Sequence, residues 1–171
     1  MKFFAMIAML CTAVAMSAAE TALLNEKSVA KNTSQGATVT VKDNVVTLEG
    51  KTGTERYNYL YTRVTVDPVV VAGKKFSITI NPATSFKGDT VYFKGLTDQG
   101  KEVFSYVAYA LPAGAKTYVI DFGKTTSPFR WLDQQIKVTP DAPVAYLQFF
   151  CGRATQNSDI KVTFSDIKLI D

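Results

Sequence analysis

The chain has 171 residues, 47% of them hydrophobic and 20% charged, with a formal net charge of +4 and no histidine. These are proportions of an ordinary globular domain. The mild charge is scattered, with no Lys/Arg run or aromatic-basic motif, which argues against a nucleic-acid partner, and the missing histidine removes the usual base for a nucleophilic enzyme.

The chain opens with Lys2, an apolar run over 3–16 interrupted by one threonine, and Ser17-Ala18-Ala19 ahead of Glu20. This is the pattern of a secretory signal peptide, residues 1–19. The run is shorter than the roughly 20 residues of a spanning helix, so no membrane segment is expected after cleavage. Cys11 follows Leu10, where a lipidation site wants a small residue, and a lipid anchor is not expected. The mature chain is expected to be secreted, periplasmic or at the cell surface, as one domain.

Residues 20–35 are polar and weakly patterned, an N-terminal arm. Asn32-Thr33-Ser34 within it matches a glycosylation acceptor. Beyond the arm, short runs rich in Val, Ile, Thr, Tyr and Phe alternate with Gly, Pro, Asn and Asp. ATVTV (37–41) and VVTLEG (45–50) flank Lys42-Asp43-Asn44 as a hairpin. YNYLYTRVTV (57–66) is a long alternating strand that Pro68 should end. KFSITI (75–80) follows. TVYFKGL (90–96) and EVFSYVAYAL (102–111) form a second hairpin about Thr97–Gly100. KTYVIDFG (116–123) places Tyr118, Ile120 and Phe122 on one face. APVAYLQFFCG (142–152) precedes the last strand. About nine strands at turn spacings of roughly 8–12 residues predict an all-β sandwich or barrel.

The last strand carries a conflict of parity. Ile160, Val162 and Phe164 alternate with polar residues, but Ile167 and Leu169 fall on the opposite parity. A straight strand would turn one set toward water, and a β-bulge at Ser165–Asp166 would restore a single apolar face. Simple alternation from Phe164 carries Asp166 inward, where a carboxylate needs partners.

Alternation also singles out a polar face. With Leu60, Val64 and Val66 inward, Tyr57, Tyr59, Tyr61 and Arg63 share the other side. With Ala145, Leu147 and Phe149 inward, Tyr146, Gln148 and Phe150 point away. Sugars pack their C–H faces on aromatic rings while hydroxyls meet Arg and Gln, so Tyr59, Tyr61, Arg63, Tyr146 and Gln148 are candidate ligand-binding residues, with Trp131 as a stacking platform. The plainer alternative is that the tyrosines stabilise the sheet by cross-strand packing and that Trp131 plugs the core. Cys151, between Phe150 and Gly152, reads as a buried inert thiol. Asp121, Asp133 and Asp166 show no spacing that suits the paired carboxylates of a glycosidase, and no enzyme is expected.

GKKFSITI, KTYVIDFG, PFRWLDQQIKVTPDAPVAYLQFFCG and the IKVTFSDIKLID ending together resemble the carbohydrate-binding modules of the galactose-binding-like jelly-roll superfamily. The resemblance covers residues 36–171 and implies a two-sheet antiparallel β-sandwich of jelly-roll type. It further implies a structural calcium ion at Asp166, with Asn25 and Glu26 from the arm. The function expected is that of a secreted, non-catalytic module for a polysaccharide or glycan. The alternative is a structural or adhesive β-sandwich whose aromatic face binds a protein partner.

Overall fold

The computed structural model describes residues 18–54, 59–83, 90–109, 111, 113–123, 141–152 and 157–171. The leader, Tyr57, Asp133 and Trp131 lie outside the described residues. The strands are β1 (Glu20–Ala22), β2 (Ala30–Lys31), β3 (Ala37–Lys42), β4 (Val45–Lys51), β5 (Tyr59–Val69), β6 (Lys75–Pro82), β7 (Thr90–Leu96), β8 (Glu102–Tyr109), β9 (Lys116–Asp121), β10 (Val144–Gly152) and β11 (Asp159–Ile170). The nine expected strands are all present, and the arm adds β1 and β2.

Two antiparallel sheets face each other. One has six strands, in the order β3-β4-β11-β6-β9, with β1 also paired to β11. The other has five strands, in the order β2-β5-β10-β7-β8. Alternation supplies each sheet with one apolar face. Phe76 and Phe164 from the first sheet meet Phe93, Phe104 and Phe149 from the second, and all five are fully buried. The Phe149 and Phe164 ring centroids lie 4.5 Å apart, and those of Phe76 and Phe93 5.6 Å apart. Gly95 on β7 makes room for one of these rings, because a Cβ there would fall 2.2 Å from Cε1 of Phe104.

The β3–β4 hairpin turns on Asp43 and Asn44, both at positive φ, the conformation that a two-residue hairpin demands. Pro68 does not end β5. The strand continues to Val69, through a stretch where pairing with β10 shifts between Val144 and Tyr146. An irregular ladder there tolerates the missing N–H of proline. The same shift makes Val144 the fully buried residue and leaves Ala145 half-buried, contrary to the simple alternation expected.

The bulge in β11 is where the parity conflict placed it. Ser165 pairs with Thr79 and Lys168 with Ser77, so β11 carries one extra residue over that interval. Phe164, Ile167 and Leu169 are all buried as a result. Asp166 takes φ 49° and is exposed. This corrects the expectation of an inward carboxylate held by partners. The left-handed residue of the bulge rotates its side chain to water, where a carboxylate needs none, and aspartate tolerates that conformation better than most residues.

The arm closes one side of the sandwich. Leu23 and Leu24 enter the core, Leu23 N donates to Ile167 O at 2.9 Å, and Lys168 Nζ pairs with Glu20 at 2.7 Å. Lys74 pairs with Asp171 at the same end. The chain then turns at Asn25, whose Oδ1 accepts from Lys27 N at 2.9 Å, and joins the other sheet as β2.

Asp166→Gly is expected to leave stability unchanged or raised, whereas Asp166→Val should cost about 1–2 kcal/mol for holding a β-branched residue at positive φ. Deleting Asp166 removes the extra residue and puts Ile167 and Leu169 on the parity of Phe164 in a straight strand, so this variant should still fold. Urea denaturation of the three variants checks the bulge. Cys151 is fully buried, and burial pushes its thiol pKa up. The native protein should therefore resist thiol reagents at pH 8 and react rapidly once unfolded, and labelling at equal rates in both states would contradict this.

Candidate functional site

The outer face of the five-stranded sheet is set by the inner one. On β10, seating Leu147, Phe149 and Cys151 in the core sends Tyr146, Gln148 and Phe150 outward. On β5, Leu60, Thr62, Val64 and Val66 are buried, and Tyr59, Tyr61 and Arg63 occupy the alternate positions, each half-buried. On β7, Val91 and Phe93 are inward and Tyr92 and Lys94 outward.

Register lines these residues up in rows across the strands. Phe150 pairs with Tyr61 on one side and Tyr92 on the other. Its ring centroid lies 5.6 Å from that of Tyr61 and 5.2 Å from that of Tyr92, both tilted, and 6.1 Å from that of Tyr59, edge to face. Separations and tilts of this kind are favoured by the ring quadrupoles. The row is continuous across β5, β10 and β7.

A polar row runs beside it. Lys31 pairs with Arg63, Arg63 with Gln148, Gln148 with Lys94 and Lys94 with Ser105. Arg63 Nε donates to Gln148 Oε1 at 3.3 Å. Gln148 is only 7% exposed, so this amide is held firmly beneath the row. Lys94 Nζ pairs with Glu102 at 2.7 Å and sits 5.0 Å from the Tyr92 ring centroid. Burial pulls the Lys94 pKa down, but Glu102 and Tyr92 outweigh it and leave it raised, so Lys94 stays charged at neutral pH. Ser105 Oγ donates to Glu102 at 3.1 Å, which fixes the carboxylate.

Tyr59, Tyr61, Arg63, Tyr146 and Gln148 thus share one sheet face. Tyr146 lies in the next row, opposite Thr65 and Leu96. Alternation alone did not single out Phe150 as the centre of the ring cluster, or Tyr92 and Lys94 as its far side. The alternation of TVYFKGL held that signal for β7, but nothing local in it says that β7 lies beside β10.

Asn25, Glu26 and Asp166, the candidate calcium ligands, are all exposed. Asn25 Nδ2 donates to Asp67 Oδ2 at 2.9 Å, and its Oδ1 is taken by Lys27 N. Among the described residues, no three His, Cys, Asp or Glu side chains come together as a metal site.

Phe150→Ala removes the ring against which Tyr59, Tyr61 and Tyr92 pack. It should cost about 1–3 kcal/mol, less than a fully buried phenylalanine, and loosen all three tyrosines together. Chemical denaturation with tyrosine fluorescence checks this, and a change confined to one tyrosine would contradict the shared cluster.

No family model and no curated protein matches the sequence. The chain is similar to the family 11 carbohydrate-binding module from Clostridium thermocellum, solved in complex with a β-1,3-1,4-mixed-linked tetrasaccharide. Identity is 18%, the TM-score 0.51, and the match covers 88% of this chain and 95% of that one. It is similar to a family 29 carbohydrate-binding module at 11% identity and a TM-score of 0.50, covering 90% and 88% of the two chains. An agarase matches at 10% identity and a TM-score of 0.56 over 91% of this chain, which spans 24% of the agarase. The fold is the two-sheet β-sandwich of these carbohydrate-binding modules.

Proposed function

We propose that the chain is a secreted, non-catalytic domain that binds a polysaccharide or glycan on the outer face of the five-stranded sheet. The observation that carries this reading is the row Tyr61–Phe150–Tyr92, partly exposed and bordered by Arg63, Gln148 and Lys94. Sugar C–H faces pack on the rings, and hydroxyls exchange hydrogen bonds with the polar row. Because the row crosses the strands, a linear glycan lies perpendicular to them. Tyr59 extends the aromatic surface at one end and Tyr146 borders the polar row on its other side. Trp131, outside the described residues, keeps its proposed stacking role.

The non-catalytic reading is supported by the state of Glu102. Glycoside hydrolysis uses two carboxyl groups facing the bond, about 5–9.5 Å apart. Glu102, the described carboxylate against the polar row, is committed to Lys94 and Ser105. The likeness to binding modules along most of their own length points the same way. The leader sequence supports secretion.

Affinity electrophoresis through polysaccharide gels and a glycan array test the reading. The mature protein should be retarded by at least one polysaccharide, and Tyr61→Ala should weaken that binding about three- to tenfold with an unchanged melting midpoint. Retardation by none, with a protein captured on the tyrosine face instead, would favour the adhesive alternative. Normal binding by Tyr61→Ala would move the site off this face.

A further inference from the structure

The charges on the tyrosine face are unbalanced in one place. Lys94 has its carboxylate, Glu102, at 2.7 Å. Arg63, two strands away in the same row, has none among the described residues. Its side chain is half-buried, and among the described residues the guanidinium's one hydrogen bond runs from Nε to the neutral amide oxygen of Gln148, at the long distance of 3.3 Å. Lys31, opposite Arg63 on β2, is exposed and adds a second cation rather than a counter-charge. The β7–β8 turn comes up against the guanidinium, since a Cβ on Gly100 would stand 3.5 Å from Arg63 Nη1. Gly100, at φ 76°, brings bare backbone there, and Asp98 in the same turn is exposed and makes no bond to Arg63.

A guanidinium is a planar fork whose geometry matches a carboxylate or sulfate bidentately. Withdrawing it partly from water without an anion leaves much of that capacity unused. A neutral sugar hydroxyl accepts one hydrogen bond without adding charge, whereas an oxyanion meets two donors and neutralises the site. The aromatic row beside Arg63 then supplies the packing surface for the ring that bears the anion.

Resting on the reading that this face binds a glycan, we propose that the glycan is acidic and that its carboxylate or sulfate seats against Arg63. Lys31 adds attraction at the open edge of the sheet, and Gln148 holds the fork in place.

The test uses matched pairs of polymers in affinity electrophoresis: polygalacturonate against the same polymer after carboxyl reduction, and dextran sulfate against dextran. The native protein should bind the acidic member of at least one pair about tenfold or more tightly than its neutral partner, and that preference should fall as salt rises from about 0.05 M to about 0.5 M. Which pair shows it tells carboxylate from sulfate. Arg63→Gln should erase the preference, so that the acidic polymer binds no more tightly than its neutral partner. Arg63→Lys keeps the charge without the fork and should lose part of the preference. It serves as the second probe should the glutamine variant fold poorly by thermal melt. Lys75→Gln removes the same charge on the opposite sheet and should change nothing. An equal loss in Lys75→Gln would mean that net charge alone attracts the polymers and would overturn the proposal. Binding to neutral polymers with no acidic preference would also overturn it, while leaving the glycan reading intact. Binding to none of the four, nor to any polysaccharide on the array, would overturn both.

Discussion

The contact between Phe149 and Phe164 sets the rest of the molecule. These residues lie on the central strands of opposite sheets, fully buried, with ring centroids 4.5 Å apart. A strand has period two, so placing Phe149 inward commits Gln148 and Phe150 to the outer face. β10 is paired on both sides, and its register with β5 and β7 carries that commitment outward to Arg63, Tyr61, Tyr92 and Lys94. The candidate face is therefore the reverse side of the core. Shifting β10 by one residue would bury the polar row and expose Leu147 and Phe149 together, which makes such a slip too costly to occur.

The arm and the bulge solve a related problem. β11 must pair with β4 over its first half and with β1 over its second while keeping one apolar face. One extra residue at Asp166 allows both. β1 then holds Leu23 and Leu24 over the core, and the chain crosses to β2, which places Lys31 beside Arg63. A segment with little pattern of its own thus ties the two sheets together and supplies part of the candidate site.

The polar row shows how a sheet face can carry charge without unfolding the sheet. Lys94, Glu102 and Ser105 satisfy one another, and Gln148 satisfies one edge of Arg63. Partial burial makes such contacts stronger than they would be in water and makes an unmatched group more consequential. The likeness to carbohydrate-binding modules fixes the architecture and leaves the ligand to these side chains, because a fold hosts many functions.

Local alternation was enough to place the strands, to put Tyr59, Tyr61 and Arg63 on one side of β5 and Tyr146 and Gln148 on one side of β10, and to bury Cys151, whereas it left sandwich and barrel open and only the family resemblance implied two sheets. It was also enough for the bulge, since the two parities of Phe164 and Ile167 cannot be reconciled without one. Each of these follows from the two-residue period of a single strand. Strand adjacency does not, because β7 and β10 are joined only by hydrogen bonds between residues far apart in the chain. That pairing alone brought Tyr92 and Lys94 to Phe150 and made Phe150 the centre of the cluster. β1 and β2, at three and two residues, are too short to show a period and exist only because β11 and β5 offer edges. The tertiary structure likewise decided that Asp166 faces water, because the left-handed backbone conformation of Asp166, and not the count along the strand, aims its side chain.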